Sequence, residues 1–131
     1  MRLPTPPELL HEPRWRRTWA WLWAAQLLVV GIAALSPGEI APTLSPSDKL
    51  DHLFAFAVLA ATGVLALRRQ ASSLLVVAAL LLAYGGFIEL AQMHIPGRYG
   101  DWGDVLADAL GVALGIGVVP LLRRRGPWAR A

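Results

Sequence analysis

At 131 residues the chain has room for one domain and not for two of ordinary size. Its residues are 56% hydrophobic and only 16% charged, with a mean hydropathy of +0.50, which excludes an ordinary soluble protein and gives a membrane protein's balance. The lack of cysteine excludes a disulfide framework, a thiolate metal site and a Cys nucleophile, and the net charge of +3 suggests nucleic acid only until the basic residues are placed.

Residues 1–17 read as a cytoplasmic N-terminal lead, irregular through Pro13 because Pro4, Pro6, Pro7 and Pro13 interrupt it. The first apolar run, Thr18 to Leu35, follows Arg14, Arg16 and Arg17. It is longer than a signal-peptide core and has no A-x-A site before Ser36, so a retained helix is expected. Trp15, Trp19, Trp21 and Trp23 fall where that helix would leave the headgroups, and Trp128 falls near the other cytoplasmic end, as interfacial anchors do.

Pro37, Pro42 and Pro46 make 36–47 an outer loop with turns. The next runs are Leu53 to Leu67, Ser72 to Ile88 and Val105 to Leu122. Each of the four runs, about 15 to 18 residues, is near the shortest that spans a hydrocarbon core. Ser47 or Asp48 is placed to cap the second helix, with Asp51 in its first turn. Arg68 to Ala71 reads as a tight cytoplasmic turn, and His94 to Gly103, with Pro96-Gly97, as an outer hairpin.

All but Lys49 and Arg98 of the 12 Lys and Arg lie before the first run, between the second and third, or after the fourth. By the positive-inside rule both termini are cytoplasmic, and the basic clusters are topology signals with no call for nucleic acid. The expected fold is all-α: a four-helix transmembrane bundle over 18–122, with helices at 18–35, 49–67, 72–93 and 104–122 and a basic cytoplasmic tail at 123–131. It would be a multi-pass membrane protein.

At about 1.5 Å per residue, His52 lies roughly 24 Å from Arg68, Glu89 roughly 25 Å from Ser72 and Asp108 roughly 22 Å from Arg123, so three helices deliver polar groups to one level. At about 100° per residue, Lys49 and His52 share a face with Gly63, Glu89 and Gln92 with Gly85, and Asp104 and Asp108 with Gly111 and Gly115. Small residues favour close helix approach, so these faces should point inward and the polar groups should converge. Glu89, costly against lipid, would then meet Lys49, His52 or Arg98. An ion-paired lock would explain the same residues structurally, and Asp101 and Asp104 also suit a helix start.

The set Asp48-Lys49-x-x-His52 followed by Phe54 and Phe56, Glu89-x-x-Gln92, Pro96-Gly97-Arg98 and Asp104-x-x-x-Asp108-x-x-Gly111-x-x-x-Gly115 resembles the VanZ-like family of membrane proteins. The resemblance runs from about Asp48 to Gly117. Two positions depart from it: Asp108 stands where the family usually has Asn, and Asp101 where a small hydroxyl residue is frequent. It implies a small polytopic cell-envelope protein of the bacterial inner (cytoplasmic) membrane, in a family named for reduced susceptibility to the glycopeptide antibiotic teicoplanin.

The leading expectation is binding of an anionic lipid or lipid-linked envelope intermediate near the outer leaflet. Lys49 and Arg98 would meet the acidic headgroup, with His52, Glu89, Gln92, Asp104 and Asp108 completing the site. An alternative is an intramembrane hydrolase or transferase acting on a lipid phosphate or ester, with His52 as general base, Glu89 or Asp104 orienting it, and Arg98 stabilising developing charge. A proton-coupled transporter is a third class, disfavoured because the acids lie near one surface and away from the midplane. No cofactor or metal is expected, since His52, Glu89 and Asp104 lack diagnostic metal spacing. A homodimer through Gly111 and Gly115, or an envelope protein partner, fits the pattern equally. His94, Tyr84 and Tyr99 stay outside the core site.

Overall fold

The structure, a computed structural model, describes residues 5–41, 45–67 and 71–125. The described residues are helical with no strand: α1 (Pro6–His11), a 3-10 turn (Pro13–Trp15), α2 (Arg16–Ala34), α3 (Asp48–Ala66), α4 (Ala71–Gln92) and α5 (Trp102–Arg125). The expected turn at 68–71 and the outermost residues of the lead and tail, including Arg2, Trp128 and Arg130, fall wholly or largely outside the described residues.

The lead corrects the expectation of irregular chain. Pro6 and Pro7 occupy the first two positions of α1, where a missing N–H is harmless and the fixed φ is already helical. Glu8 Oε2 accepts a hydrogen bond from Thr5 N at 2.7 Å, securing the start. Trp19 Nε1 donates to Leu9 O at 3.0 Å and Arg123 Nε to Leu10 O at 2.9 Å, so α1 is tied to α2 and α5. Those prolines begin a helix, and Thr5-x-x-Glu8 was the legible signal for it.

Among the described residues, three helices are long and apolar enough to cross a membrane: Asp48–Ala66, Ser72–Gln92 and Trp102–Arg123. α2 is of comparable length but is not among them, because Arg17, its tryptophans and Gln26 dilute its hydropathy. Half of the α3 span is buried within the protein, more than of α4 or α5, which makes α3 the central element. Its longest packing is on α5; α2 lies on it next, and α4 packs chiefly on α5.

The core joins Phe56, Leu59, Ala60 and Val64 of α3 to Val77, Leu81 and Ile88 of α4 and Val112 and Val119 of α5. Outside it, Leu75, Leu82, Leu90, Leu106, Leu110 and Leu114 are exposed. An apolar exterior around buried Glu89, Asp104 and Asp108 inverts a soluble protein's pattern and suits a lipid solvent. In that solvent apolar burial contributes little between helices, so close approach and hydrogen bonds must hold them.

Small residues supply the approach. Gly63 of α3 receives the ring of Trp23, while Gly111 and Gly115 of α5 press on the α3 backbone at Leu53 and Ala57. The glycine stripe offered above as a dimer surface is therefore buried inside one chain. Tyr84 of α4 donates to Leu27 O of α2 at 2.6 Å, with Gly31 beneath its hydroxyl. Tyr84→Phe is expected to lower stability by about 0.5–1.5 kcal/mol, the usual net worth of such a bond, as read by thermal unfolding in detergent.

Two loops close the end of the bundle that carries the polar residues. Gly97 has φ +73°, a conformation glycine adopts freely, and turns the chain after α4. Gly38, after α2, donates its N–H to Pro96 O at 3.2 Å and lies against the Gly97 carbonyl, leaving no room for a side chain. This contact brings the α4–α5 loop, and Arg98 with it, over the C-terminal end of α2.

Candidate functional site: a polar cluster capping an apolar cavity

The first turns of α3 and α5, the last turn of α4 and the loop between α4 and α5 meet at one end of the bundle. Lys49 of α3 donates to Asp104 Oδ1 at 3.0 Å and to Asp101 just before α5. Asp101 also accepts the Gly103 N–H at 2.7 Å, and its own N–H donates to Glu89 Oε2 at 2.7 Å. The Lys49 ammonium, followed by the Gly103 N–H, holds the Asp101 carboxyl below its ordinary range. Asp101 thus fastens α3, α4 and α5 together, a role its position at a helix start does not by itself disclose.

One turn deeper, His52 Nδ1 pairs with Asp108 Oδ1 at 2.9 Å. The imidazole is buried and Asp108 is 1% exposed. Asp108 Oδ2 has no hydrogen-bond partner and is directed towards Gly85 of α4, whose missing side chain leaves it space. The expected orienting groups for His52 were Glu89 or Asp104; the carboxylate hydrogen-bonded to it is Asp108. The stripe of Asp104, Asp108, Gly111 and Gly115 does face inward, as does the pairing of Gly85 with Glu89 and Gln92.

Glu89 departs from its expectation. It is 6% exposed, yet its acceptor contact is the Asp101 backbone N–H, not a cation, and Oε1 is left without a partner. Gln92 donates from Nε2 to Ala34 O at 2.9 Å and is buried, so it splices α4 to the end of α2. Arg98 Nε donates to Ser36 O at 3.2 Å and Nη2 to Ala33 O at 3.4 Å, while Nη1 stands 4.0 Å from Asp48 Oδ2. Two carbonyls thus aim the guanidinium and leave Nη1 with only a long contact.

Arg98 borders a cavity of about 320 Å³ between α2 and α3, at the small end of ligand-sized pockets. Val29, Val30, Ala33, Ala34, Ala55, Phe56 and Ile88 form its apolar wall, and Asp48, Asp51, His52 and Arg98 its polar border. Of the residues picked out in the sequence, His52 and Arg98 line this cavity. Lys49, Glu89, Gln92, Asp104 and Asp108 gather behind them as supports.

Sequence reasoning missed Asp48 and Asp51 as lining groups, although Asp48 belonged to the quoted motif. It also missed the carbonyls of Ala33, Ala34 and Ser36, which no side-chain pattern reveals. His94 hydrogen-bonds to Leu90 O at 3.0 Å on the surface, and Tyr99 is exposed.

A family model described as VanZ/LLP1 matches residues 7–123, which takes in every helix above from α1 to the last turns of α5. No curated protein and no solved structure matches the chain.

Proposed function

From a chain that belongs to the VanZ/LLP1 family, we propose an envelope membrane protein that binds a phosphate-bearing lipid or lipid-linked envelope intermediate, with part of the tail in the cavity and the head at Arg98. One observation carries this reading: an apolar pocket whose polar border holds a guanidinium already oriented by two backbone carbonyls. An amphiphile needs those two environments side by side, and an arginine oriented in advance loses little freedom on meeting a phosphate.

In the proposed topology α2 is a fourth span beside α3, α4 and α5, in the bacterial inner membrane with both termini cytoplasmic. The arginines around the start of α2 and at the end of α5 support that orientation, and the polar cluster then opens at the outer leaflet. A bearing on glycopeptide susceptibility of the teicoplanin type would follow from holding an envelope intermediate there. A homodimer or an envelope protein partner remains compatible with the exposed apolar exterior.

The test is lipid retention by protein purified in mild detergent and measured by native mass spectrometry with phosphate-bearing lipids. Arg98→Ala is expected to weaken retention at least about tenfold, the loss of one charge-assisted contact of about 1.5–3 kcal/mol. Ala33→Trp, which fills the cavity from α2, should abolish it while leaving the melting profile near wild type. Unchanged retention in both variants rules the reading out.

A second reading, hydrolysis or group transfer on the same head, is favoured by the His52–Asp108 pair. A buried carboxylate on Nδ1 of a histidine that lines the cavity leaves Nε2 to act on the head, the arrangement this reading requires of a general base.

A further inference from the structure

A phosphate-bearing head would meet an unfavourable field at this mouth. Asp48, Glu89, Asp101, Asp104 and Asp108 gather around Lys49, Arg98 and one imidazole. Lys49 is already engaged by Asp101 and Asp104, so its charge is not available to a ligand. Carboxylates in such excess at the edge of a hydrocarbon phase call for another cation.

We propose that Asp48, His52 and Asp104 bind a divalent transition-metal cation of the Zn²⁺ class, whose open coordination positions face the headgroup. Each of the three offers one ligand atom, and these atoms lie within 4.8 Å of one another. Tetrahedral coordination at about 2.0–2.2 Å brings ligand atoms to roughly 3.4 Å from one another, so the set must close slightly. Asp48 is the residue that can do so, since its side chain is 53% exposed at the start of α3.

The imidazole points to a metal independently of the acids. It is more than nine-tenths buried, and its Nδ1 is bound by the buried carboxylate of Asp108, leaving Nε2 as the ligating nitrogen. A carboxylate behind a histidine is the usual support of a metal-bound imidazole, fixing its tautomer and raising its basicity. One nitrogen and two carboxylate donors suit a first-row cation better than Mg²⁺ or Ca²⁺, and three protein ligands leave room for a further oxygen. Lys49 occupies only Oδ1 of Asp104, so the other oxygen is the one assigned to the metal. The cation is argued from the ligand set; only its contact with a phosphate rests on the function proposed above.

The full chain, stripped with a chelator and held in detergent without added lipid, is titrated with Zn²⁺ alone by calorimetry. One equivalent is expected to bind, with at least tenfold loss in Asp48→Asn and in His52→Gln and about 10–100-fold loss in Asp108→Asn, which acts through the imidazole. Asp48 is exposed enough that its variant keeps the fold, so equal affinity in wild type and Asp48→Asn overturns the site, as does failure of the wild type to bind. Lipid retention, measured both in chelator and with Zn²⁺ restored, separates the two proposals, the Zn²⁺-loaded protein being the one that decides the amphiphile. Retention sensitive to Ala33→Trp with no Zn²⁺ bound by wild type overturns the cation and leaves the amphiphile. Zn²⁺ bound with no lipid retained upholds the cation and overturns the amphiphile.

Discussion

Gly115→Leu is expected to abolish the folded, monodisperse state, and Gly111→Leu to come close. A side chain at Gly115 would collide with the Ala57 carbonyl and stand 2.7 Å from Ala60 Cβ and 2.9 Å from Ala61 N. At Gly111 it would meet the Leu53 carbonyl, with Ala57 N at 3.0 Å and Phe56 Cβ at 3.1 Å. These are backbone atoms of the central helix or atoms fixed to them, which no rotamer change can clear. Overpacking usually costs about 1–3 kcal/mol, and here it separates the helix pair with the longest contact in the protein. Loss of that contact also parts Asp104 and Asp108 from Lys49 and His52, which exposes buried carboxylates to lipid. Gly117→Leu is the control, because nothing lies within 4 Å of a Cβ there and leucine favours helix over glycine by about 1 kcal/mol. Size-exclusion profiles and melting in detergent decide the matter: a Gly115→Leu protein that melts with the Gly117→Leu protein would show that α3 and α5 do not pack as described.

The same residues explain what the sequence could and could not disclose. Helical spacing put Asp104, Asp108, Gly111 and Gly115 on one stripe, and that stripe is the buried face of α5 because period and packing come from one geometry. Rise per residue put His52, Glu89 and Asp108 at one level, and they do share an end of the bundle. Pairing was not legible, since it depends on how helices are rotated about their axes and on loops. Asp108, not Glu89 or Asp104, meets His52 because Gly85 opens space for its carboxylate. Glu89 meets a backbone N–H because the turn before α5 brings Asp101 over it. The cavity was not legible either: its apolar wall is mostly valines and alanines of α2, joined by Ala55, Phe56 and Ile88, all of which read as ordinary membrane residues. The proline-rich lead misled because proline both breaks helices and starts them, and only the capping residues tell which.

Breaking the His52–Asp108 pair from one side is expected to cost about 3–5 kcal/mol, the range for a buried ion pair that loses one partner. His52→Leu leaves Asp108 with neither oxygen hydrogen-bonded, since Oδ2 already has no partner and Oδ1 has only the imidazole. Asp108→Leu leaves the buried imidazole without its carboxylate, a smaller loss because a neutral ring tolerates an apolar neighbour better than a carboxylate does. The double variant His52→Leu/Asp108→Leu should recover much of the stability, since apolar groups of similar volume replace a buried polar pair at little net cost. Thermal unfolding of the four proteins in one detergent gives the coupling energy directly. Additive losses would mean that the two side chains do not meet, and the site as built here would fail with them. Recovery of stability together with loss of lipid retention would be the informative result: a pair the fold can do without, held at the mouth of an apolar cavity, is there for what enters it.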